Sequence, residues 1–116
     1  MTLNDWAALC RKENDKWWVD MATGEKLTRN KGELLCLIHS EISEVLEGVR
    51  KNTMDDHLPR RRSEEVEMAD ALIRIFDYAG EYNLDIEGAV REKMSYNAAR
   101  ADHKKEARMA ENGKKF

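Results

Sequence analysis

The stretch from Leu34 to Val49, L-L-C-L-I-H-S-E-I-S-E-V-L-E-G-V, predicts the central helix of this 116-residue chain. At about 100° per residue, its apolar side chains fall on one broad side of an α-helix. They are Leu34, Leu35, Leu37, Ile38, Ile42, Val45, Leu46 and Val49. Glu41 falls inside that sector, although an ionised carboxylate on a core-facing side is costly unless a partner or a cation accompanies it. Glu41 is therefore the residue of this helix that needs a functional explanation.

Glu41 opens the first of two acidic pairs: E-I-S-E carries Glu41 and Glu44, and E-M-A-D carries Glu67 and Asp70. A three-residue step places both members of a pair on the same side of a helix. Two such helices packed side by side would bring four carboxylates together. A cation relieves the repulsion between them, and clustered oxygen atoms are the ligands that Mg²⁺ prefers. The alternative for the second pair is a solvated surface on which Asp70 pairs with Arg74, four residues later.

Helix-forming residues dominate the rest of the chain, which contains a single proline. The sequence predicts four helices: Leu3 to Trp17 after a Thr2 or Asn4 cap, Asn30 to Lys51, a Ser63 cap to Tyr82–Asn83, and an Asp85 cap to Ala107. These lengths and short connections favour an all-α, four-helix bundle-like fold with antiparallel neighbours. We expect one domain over residues 1–107 and a flexible C-terminal tail over residues 108–116.

Composition narrows the choice of partners. The net charge is -3 and 37% of the residues are charged, which argues against a nucleic-acid partner. The longest apolar run is far shorter than the roughly 20 residues of a membrane-spanning helix, so we expect no membrane partner. The N-terminus lacks a basic region followed by an apolar one, and Cys10 and Cys36 have no paired spacing. These features predict a cytoplasmic protein with reduced thiols.

The chain lacks several motifs that would indicate other chemistry. It has no Cys/His cluster for zinc, no Glu-x-x-His for a di-iron centre, and neither GxxxxGK[ST] nor GxGxxG. No nucleophile triad is evident in the sequence. What remains is the metal-assisted attack of water on a phosphate. The basic run Arg60-Arg61-Arg62 is interpreted as a solvated loop or, alternatively, as a cationic rim for a phosphorylated ligand.

Three segments together resemble the MazG-like all-α nucleoside triphosphate pyrophosphohydrolases. They are L-L-C-L-I-H-S-E-I-S-E-V-L-E-G-V-R, E-V-E-M-A-D-A-L-I-R-I-F-D-Y-A and K-M-S-Y-N-A-A-R, which lie between Leu34 and Arg100. They contain the family's E-x-x-E … E-x-x-D signature and its K-x-x-x-N segment, in family order. The resemblance implies a Mg²⁺-dependent hydrolase, with Mn²⁺ as the alternative ion, that cleaves an NTP or dNTP to the monophosphate and pyrophosphate.

The resemblance also implies the catalytic metal ligands, which are Glu41, Glu44, Glu67 and Asp70. Which group activates the attacking water stays open. On the same basis Lys93 is a phosphate donor and Asn97 contacts sugar or phosphate, with Arg100 as a further substrate-binding residue. The alternative for these three residues is a solvated helix face.

Aromatic residues often contact the base in this family, which makes Trp17 and Trp18 candidates for stacking. A role in the core or in subunit contacts is equally open for both. The resemblance further implies a homodimer or homotetramer with the site near the subunit boundary, and a role in nucleotide-pool house-cleaning. The alternatives are a related hydrolase of dUTP, dCTP or phosphoribosyl-ATP, and a non-catalytic helical interaction module whose carboxylates bind a cation or a basic partner.

Overall fold

The computed structural model describes residues 1–100 and 105–113. Its helices are α1 (Leu3–Glu13), a 3₁₀ helix (Asp15–Trp18), α2 (Lys31–Lys51), α3 (Ser63–Glu81), α4 (Ile86–Ala99) and α5 (Lys105–Met109). The described residues contain isolated β-bridges but no β-strand, so the predicted all-α class is confirmed. None of the helices in these ranges combines the length and the apolar character needed to cross a bilayer.

The chain divides into two compact units, Met1–Leu84 and Asp85–Phe116. In the first unit, α3 packs against both α1 and α2, which agrees with a bundle-like arrangement. The second unit contains α4 and α5. The predicted single domain over residues 1–107 stays a prediction. Parts of the predicted fourth helix (101–104) and of the predicted tail (114–116) lie outside the described residues.

Side-chain caps fix where α1, α2 and α4 begin. Thr2 caps α1 by accepting from the Asp5 N–H at 3.1 Å. Asn30 accepts from the Glu33 N–H at 3.0 Å at the start of α2. Asp85 accepts from the Gly88 N–H at 2.9 Å at the start of α4. Each of these bonds satisfies a backbone donor that the first turn of a helix leaves without a partner.

Two helices end earlier than the sequence predicts, and one begins differently. The first helix ends at Glu13 instead of Trp17, and the 3₁₀ helix follows it. The fourth ends at Ala99 instead of Ala107, because Arg100 has an extended backbone. At the start of α3 the N-cap position belongs to Arg62. The predicted cap, Ser63, instead shares a 2.9 Å hydrogen bond with the Thr53 hydroxyl.

The core of the first unit is built largely from small residues. Its buried apolar side chains are Ala7, Cys10, Trp18, Leu34, Val45, Ala71 and Ala79. Small side chains let α1 approach α3 closely, and Gly80 is a point of close contact. A Cβ atom added there would lie 2.5 Å from the Ala7 carbonyl oxygen. By contrast, Ile42, Leu46 and Val49 of the predicted core-facing side of α2 are all at least half exposed, so the chain alone buries only part of that side.

Candidate functional site

Carboxylates from α2 and α3 converge within the first unit. Glu41, Glu67 and Asp70 each offer an oxygen atom, and these atoms lie within 4.8 Å of one another. Over residues 1–100 and 105–113, this is the one set of three or more histidine, cysteine, aspartate or glutamate side chains with such spacing. We call these three residues the acidic cluster. It forms because the three-residue step on α3 presents Glu67 and Asp70 on the side that packs against α2.

The acidic cluster holds a proton more tightly than isolated carboxylates do. Partial burial, together with a hydrogen bond to Glu41 and the charges of its acidic neighbours, raises the pKa of Glu67 to about 7. Burial and the charge of Glu41 also raise the pKa of Asp70, against the opposing effect of Arg74. Both shifts show that the cluster carries more negative charge than its surroundings stabilise.

Arg74 supplies the positive charge closest to Glu41. Its Nε–H donates to Glu41 Oε1 at 3.0 Å, and this ion pair joins α3 to α2. The alternative interpretation of the sequence instead pairs Arg74 with Asp70, one turn earlier on the same helix. Arg74 lowers the pKa of Asp70 through its charge, but the ion pair that it forms among the described residues is with Glu41.

Glu44 lies outside the acidic cluster. Its side chain is exposed and borders a separate cleft of about 430 Å³ together with Glu67, Asp55 and Asp56. It is close enough to contribute to the raised pKa of Glu67. The structure therefore brings together three of the four predicted metal ligands and leaves the fourth beside them, facing an acidic cleft.

A cavity of about 460 Å³ adjoins the cluster on its other side. Glu41, Asp70 and Arg74 form one part of its wall, and Trp17 and Arg29 form another. Its volume is in the range of small-molecule sites. The cavity thus combines acidic, cationic and aromatic groups.

The two adjacent tryptophans have different environments. Trp18 is only 1% exposed, and its Nε1–H donates to both Asp77 oxygens, at 3.0 and 3.2 Å. The guanidinium groups of Arg11 and Arg29 lie 5.0 and 5.6 Å from the centre of its ring. Trp17 is 60% exposed. Of the two predicted stacking residues, Trp17 has the surface that a ligand ring could contact, while Trp18 is a core residue.

The remaining predicted substrate-binding residues belong to the second unit. Lys93 is exposed, and its Nζ lies 4.7 Å from the centre of the Tyr96 ring. Arg100 lies 5.7 Å from the same ring. The Asn97 Oδ1 atom is buried and, among the described residues, has no hydrogen-bond partner. An unpaired buried acceptor of this kind costs about 1–3 kcal/mol.

The donor set of the cluster suits a hard divalent cation. Its ligands are all carboxylate oxygens, as Mg²⁺ and Mn²⁺ prefer. Two oxygen ligands of one Mg²⁺ lie at most about 4.2 Å apart, and the oxygen atoms of the cluster lie within 4.8 Å of one another. The Arg74 guanidinium already lies as a cation beside Glu41, one of the three carboxylates. The residues present therefore fit a metal ion.

Comparisons with known proteins identify no relative. No protein-family model matches the chain, and neither a curated protein nor a solved structure is significantly similar to it. The function must therefore be inferred from the acidic cluster and the cavity beside it.

Sequence reasoning missed Arg29 and Tyr78 in the cavity wall and the contact of Arg74 with Glu41. Arg29, Arg74 and Tyr78 line the cavity, and Asp77 anchors Trp18. One available signal was that Arg74 and Tyr78 follow Asp70 at four-residue intervals, which places all three along one side of α3. Nothing local marks Arg29, because it lies in the connection before α2 and reaches the cavity only through the tertiary fold.

Proposed function

We propose that this protein is a Mg²⁺-dependent pyrophosphohydrolase that converts an NTP or dNTP to the monophosphate and pyrophosphate. The observation that carries the proposal is the convergence of Glu41, Glu67 and Asp70 beside a cavity with cationic and aromatic walls. The E-x-x-E … E-x-x-D signature and its resemblance to the MazG-like enzymes supply the reaction class. Neither the family nor the activity rests on any matched relative.

Glu41, Glu67 and Asp70 would hold the metal ion, and Glu44 is placed to add a ligand from the neighbouring cleft. A bound Mg²⁺, or Mn²⁺ in its place, neutralises phosphate charge and lowers the pKa of a coordinated water. The chain's own contribution is to fix the carboxylates on two packed helices, which keeps the ligand positions rigid. Without the ion the pKa of Glu67 is about 7, so this residue would release a proton when a metal ion binds near neutral pH.

The cavity suits the rest of a nucleotide. Trp17 offers an exposed ring for stacking on a base, and Arg29 offers a donor for phosphate. We assign Lys93, Asn97 and Arg100 to substrate binding on the resemblance.

We further propose that the protein acts as a homodimer or homotetramer in the cytoplasm, where it would remove surplus or non-standard nucleotides. The support for self-association is the exposed apolar side of α2, which includes Ile42, Leu46 and Val49. Apolar surface of this kind is typical of a contact with another protein surface.

A nucleotide panel tests the activity. Purified protein is incubated with the common NTPs and dNTPs, including dUTP and dCTP, and with phosphoribosyl-ATP, in Mg²⁺ and in EDTA. We expect pyrophosphate and a monophosphate from at least one nucleotide in Mg²⁺, and no product in EDTA. Orthophosphate as the only product, or no hydrolysis of any compound, would reject the proposal.

Substitution of the ligands tests the site. We expect Glu41→Gln and Asp70→Asn to lower kcat by at least about a hundredfold, because each removes charge where the metal would bind. Glu33→Gln is the matched control, since Glu33 lies on the first turn of the same α2 helix and is exposed. Circular dichroism of each variant checks that the helices are intact. Full activity in the Glu41→Gln, Asp70→Asn double variant would contradict the site assignment.

A second candidate is a non-catalytic module that binds a cation or a basic partner through the same carboxylates. The raised pKa of Glu67 favours it as much as it favours catalysis, because unbalanced negative charge attracts any cation. This candidate predicts that Mg²⁺ raises the melting temperature while no nucleotide in the panel is cleaved. The panel and a thermal shift measurement together separate the two functions.

A further inference from the structure

The ion pair between Arg74 and Glu41 differs from most ion pairs of the described chain. Most of the others join residues close in sequence, such as Arg50 with Glu47 or Arg91 with Glu87. Arg74 Nε and Glu41 Oε1 are 3.0 Å apart and belong to residues 33 positions apart. The Glu41 side chain is only 14% exposed, whereas that of Arg74 is 42% exposed. A largely buried carboxylate is thus matched by a cation that remains accessible to solvent.

The Arg74 guanidinium lies where its positive charge would repel a metal ion bound by the acidic cluster. Glu41 is a member of the acidic cluster, and Arg74 also acts on Asp70 through its charge. A divalent cation held by both carboxylates would lie a few ångströms from the guanidinium, and like charges at that distance repel strongly. Arg74 and a metal ion therefore compete for Glu41.

The cavity provides an alternative binding position for the Arg74 guanidinium. Arg74 lines it together with Trp17 and Arg29, on the side where a nucleotide's phosphates would meet the metal. Arginine pairs with phosphate through two parallel hydrogen bonds, which a lysine cannot reproduce. The long side chain of Arg74 can leave Glu41 and remain in the cavity by rotation about its own bonds.

We infer that Arg74 is the resident counter-ion of Glu41, that a divalent cation displaces it, and that the displaced guanidinium then binds the anionic group of the ligand in the cavity. This inference rests on the proposed function, since it takes the acidic cluster to be the metal site. In this scheme Arg74 couples metal binding to ligand binding, because the cation releases the guanidinium that then donates to the ligand.

The metal affinity of an Arg74 variant tests whether a divalent cation competes with Arg74 for Glu41. Mn²⁺ binding is measured by isothermal titration calorimetry and by the electron paramagnetic resonance of free Mn²⁺, without nucleotide. We expect Arg74→Gln to bind Mn²⁺ about tenfold more tightly than the wild type, because a nearby positive charge is removed. Arg74→Lys keeps that charge and should remain within about twofold of the wild type.

Arg50→Gln is the matched control. It also removes an ion-paired arginine, so it changes the net charge equally. Arg50 lies nine residues after Glu41 on α2, which is about 13 Å along the helix axis and beyond the Debye length of about 10 Å at ordinary ionic strength. We expect it to change the Mn²⁺ affinity by less than about twofold.

Nucleotide binding tests whether the displaced Arg74 guanidinium binds the anionic group of the ligand. The affinities of non-cleavable α,β-methylene analogues of the panel nucleotides are measured in saturating Mn²⁺, under which metal occupancy is equal in all variants. We expect Arg74→Gln to weaken this binding about tenfold, because one charge-assisted phosphate contact is lost. The signature is a pair of changes of opposite sign: tighter metal and weaker nucleotide.

The outcomes separate this inference from the proposed function. If the wild type binds neither Mn²⁺ nor any analogue, both are rejected. If the wild type binds both but Arg74→Gln binds Mn²⁺ no more tightly, Arg74 only positions Glu41 and the inference alone is rejected. Tighter Mn²⁺ binding with unchanged nucleotide affinity also overturns it, because the displaced guanidinium would then have no ligand.

Discussion

Glu67 retains a proton that an exposed glutamate would lose at a lower pH. Its pKa of about 7 arises from partial burial, from the hydrogen bond to Glu41 and from the charges of Asp70 and Glu44. A proton and the Arg74 guanidinium together offset the negative charge of the acidic cluster. A divalent cation would replace both, so metal binding, protonation and the Arg74 ion pair are linked events within the same group of carboxylates.

The raised pKa of Glu67 predicts an unusual pH dependence of stability. The folded protein holds this proton up to about pH 7, whereas the unfolded chain releases it near the usual 4.5. Between these values the folded state binds more protons than the unfolded state, so the free energy of unfolding falls as the pH rises. In EDTA, we expect the melting temperature to drop by several degrees between about pH 5 and about pH 8.

Glu67→Gln is the control for this titration, because the amide has the same shape but no proton to release. Its melting temperature should change much less over the same pH range. Mg²⁺ should stabilise the wild type more at the alkaline end, where it no longer competes with the proton. A wild-type melting temperature that rises steadily with pH in EDTA would show that Glu67 is ionised throughout.

Residue patterns predicted part of this site and missed the rest for a physical reason. The three-residue steps indicate that Glu41 and the E-M-A-D pair could meet, because helical periodicity fixes which side chains share a side. Helical periodicity does not predict the ion-pair partner of Arg74. Asp70 is its neighbour by sequence spacing, yet the packing of α3 on α2 presents Glu41 to its Nε–H at 3.0 Å.

At the scale of the helices, the close approach of α1 and α3 holds the first unit together. Gly80 lies where the two helices meet, with the Ala7 carbonyl and the Arg11 side chain against it. One residue further on, Glu81 accepts from Arg11 Nε at 2.9 Å and pairs with Lys26 at 2.9 Å. Partial burial opposes the ionised form of Glu81, but these two cations outweigh it and lower its pKa.

We expect Gly80→Ala to destabilise the protein. The new methyl group would lie 2.5 Å from the Ala7 carbonyl oxygen and 2.7 Å from Arg11 Cβ, so α1 would have to move. Crowding of this kind costs about 1–3 kcal/mol, and the better helix propensity of alanine recovers at most about 1 kcal/mol. Urea unfolding followed by circular dichroism should therefore show a net loss of about 1–2 kcal/mol.

Gly32→Ala is the matched control for that substitution. Gly32 lies in the first turn of α2, and the nearest atom to an added Cβ is the end of the Asn30 side chain, at 3.1 Å. That side chain also caps α2, so a slight displacement of the cap opposes the gain of at most about 1 kcal/mol from the helix propensity of alanine. The free energy of unfolding should therefore fall by no more than about 0.5 kcal/mol. Equal stability of the two variants would mean that α1 and α3 are not closely packed at Gly80.

Some helix boundaries are determined by nearby residues and others by tertiary contacts. The start of α2 was predictable, because Asn30 caps it with its own side chain. The end of α1 was not, because residues 14–18 continue a helical pattern in the sequence. The chain instead forms a 3₁₀ turn there, and Trp18 is buried with its N–H on Asp77. A contact with α3 thus accompanies a break that no local signal predicts.

At the scale of the whole molecule, few apolar side chains of the described residues are buried and many large ones are exposed. The side of α2 that carries Ile42, Leu46 and Val49 follows the apolar pattern of a core-facing helix, yet Leu46 is 61% exposed. Met68 and Leu72 of α3 are also nearly half exposed. A stable protein–protein contact buries about 1,200–2,000 Å² in total, and apolar side chains on two neighbouring helices are suited to its centre.

We therefore expect the wild type to sediment as a dimer or tetramer and Leu46→Gln to shift it toward the monomer. Glutamine keeps the helix propensity but cannot contribute apolar surface to the contact. Met21→Gln is the matched control, because Met21 is 83% exposed and lies in a turn outside the α2 helix; the oligomeric state of this variant should equal that of the wild type. Sedimentation velocity measures all three proteins at several concentrations. A wild type that stays monomeric throughout would leave the exposed side of α2 without a partner copy and would contradict the proposed assembly.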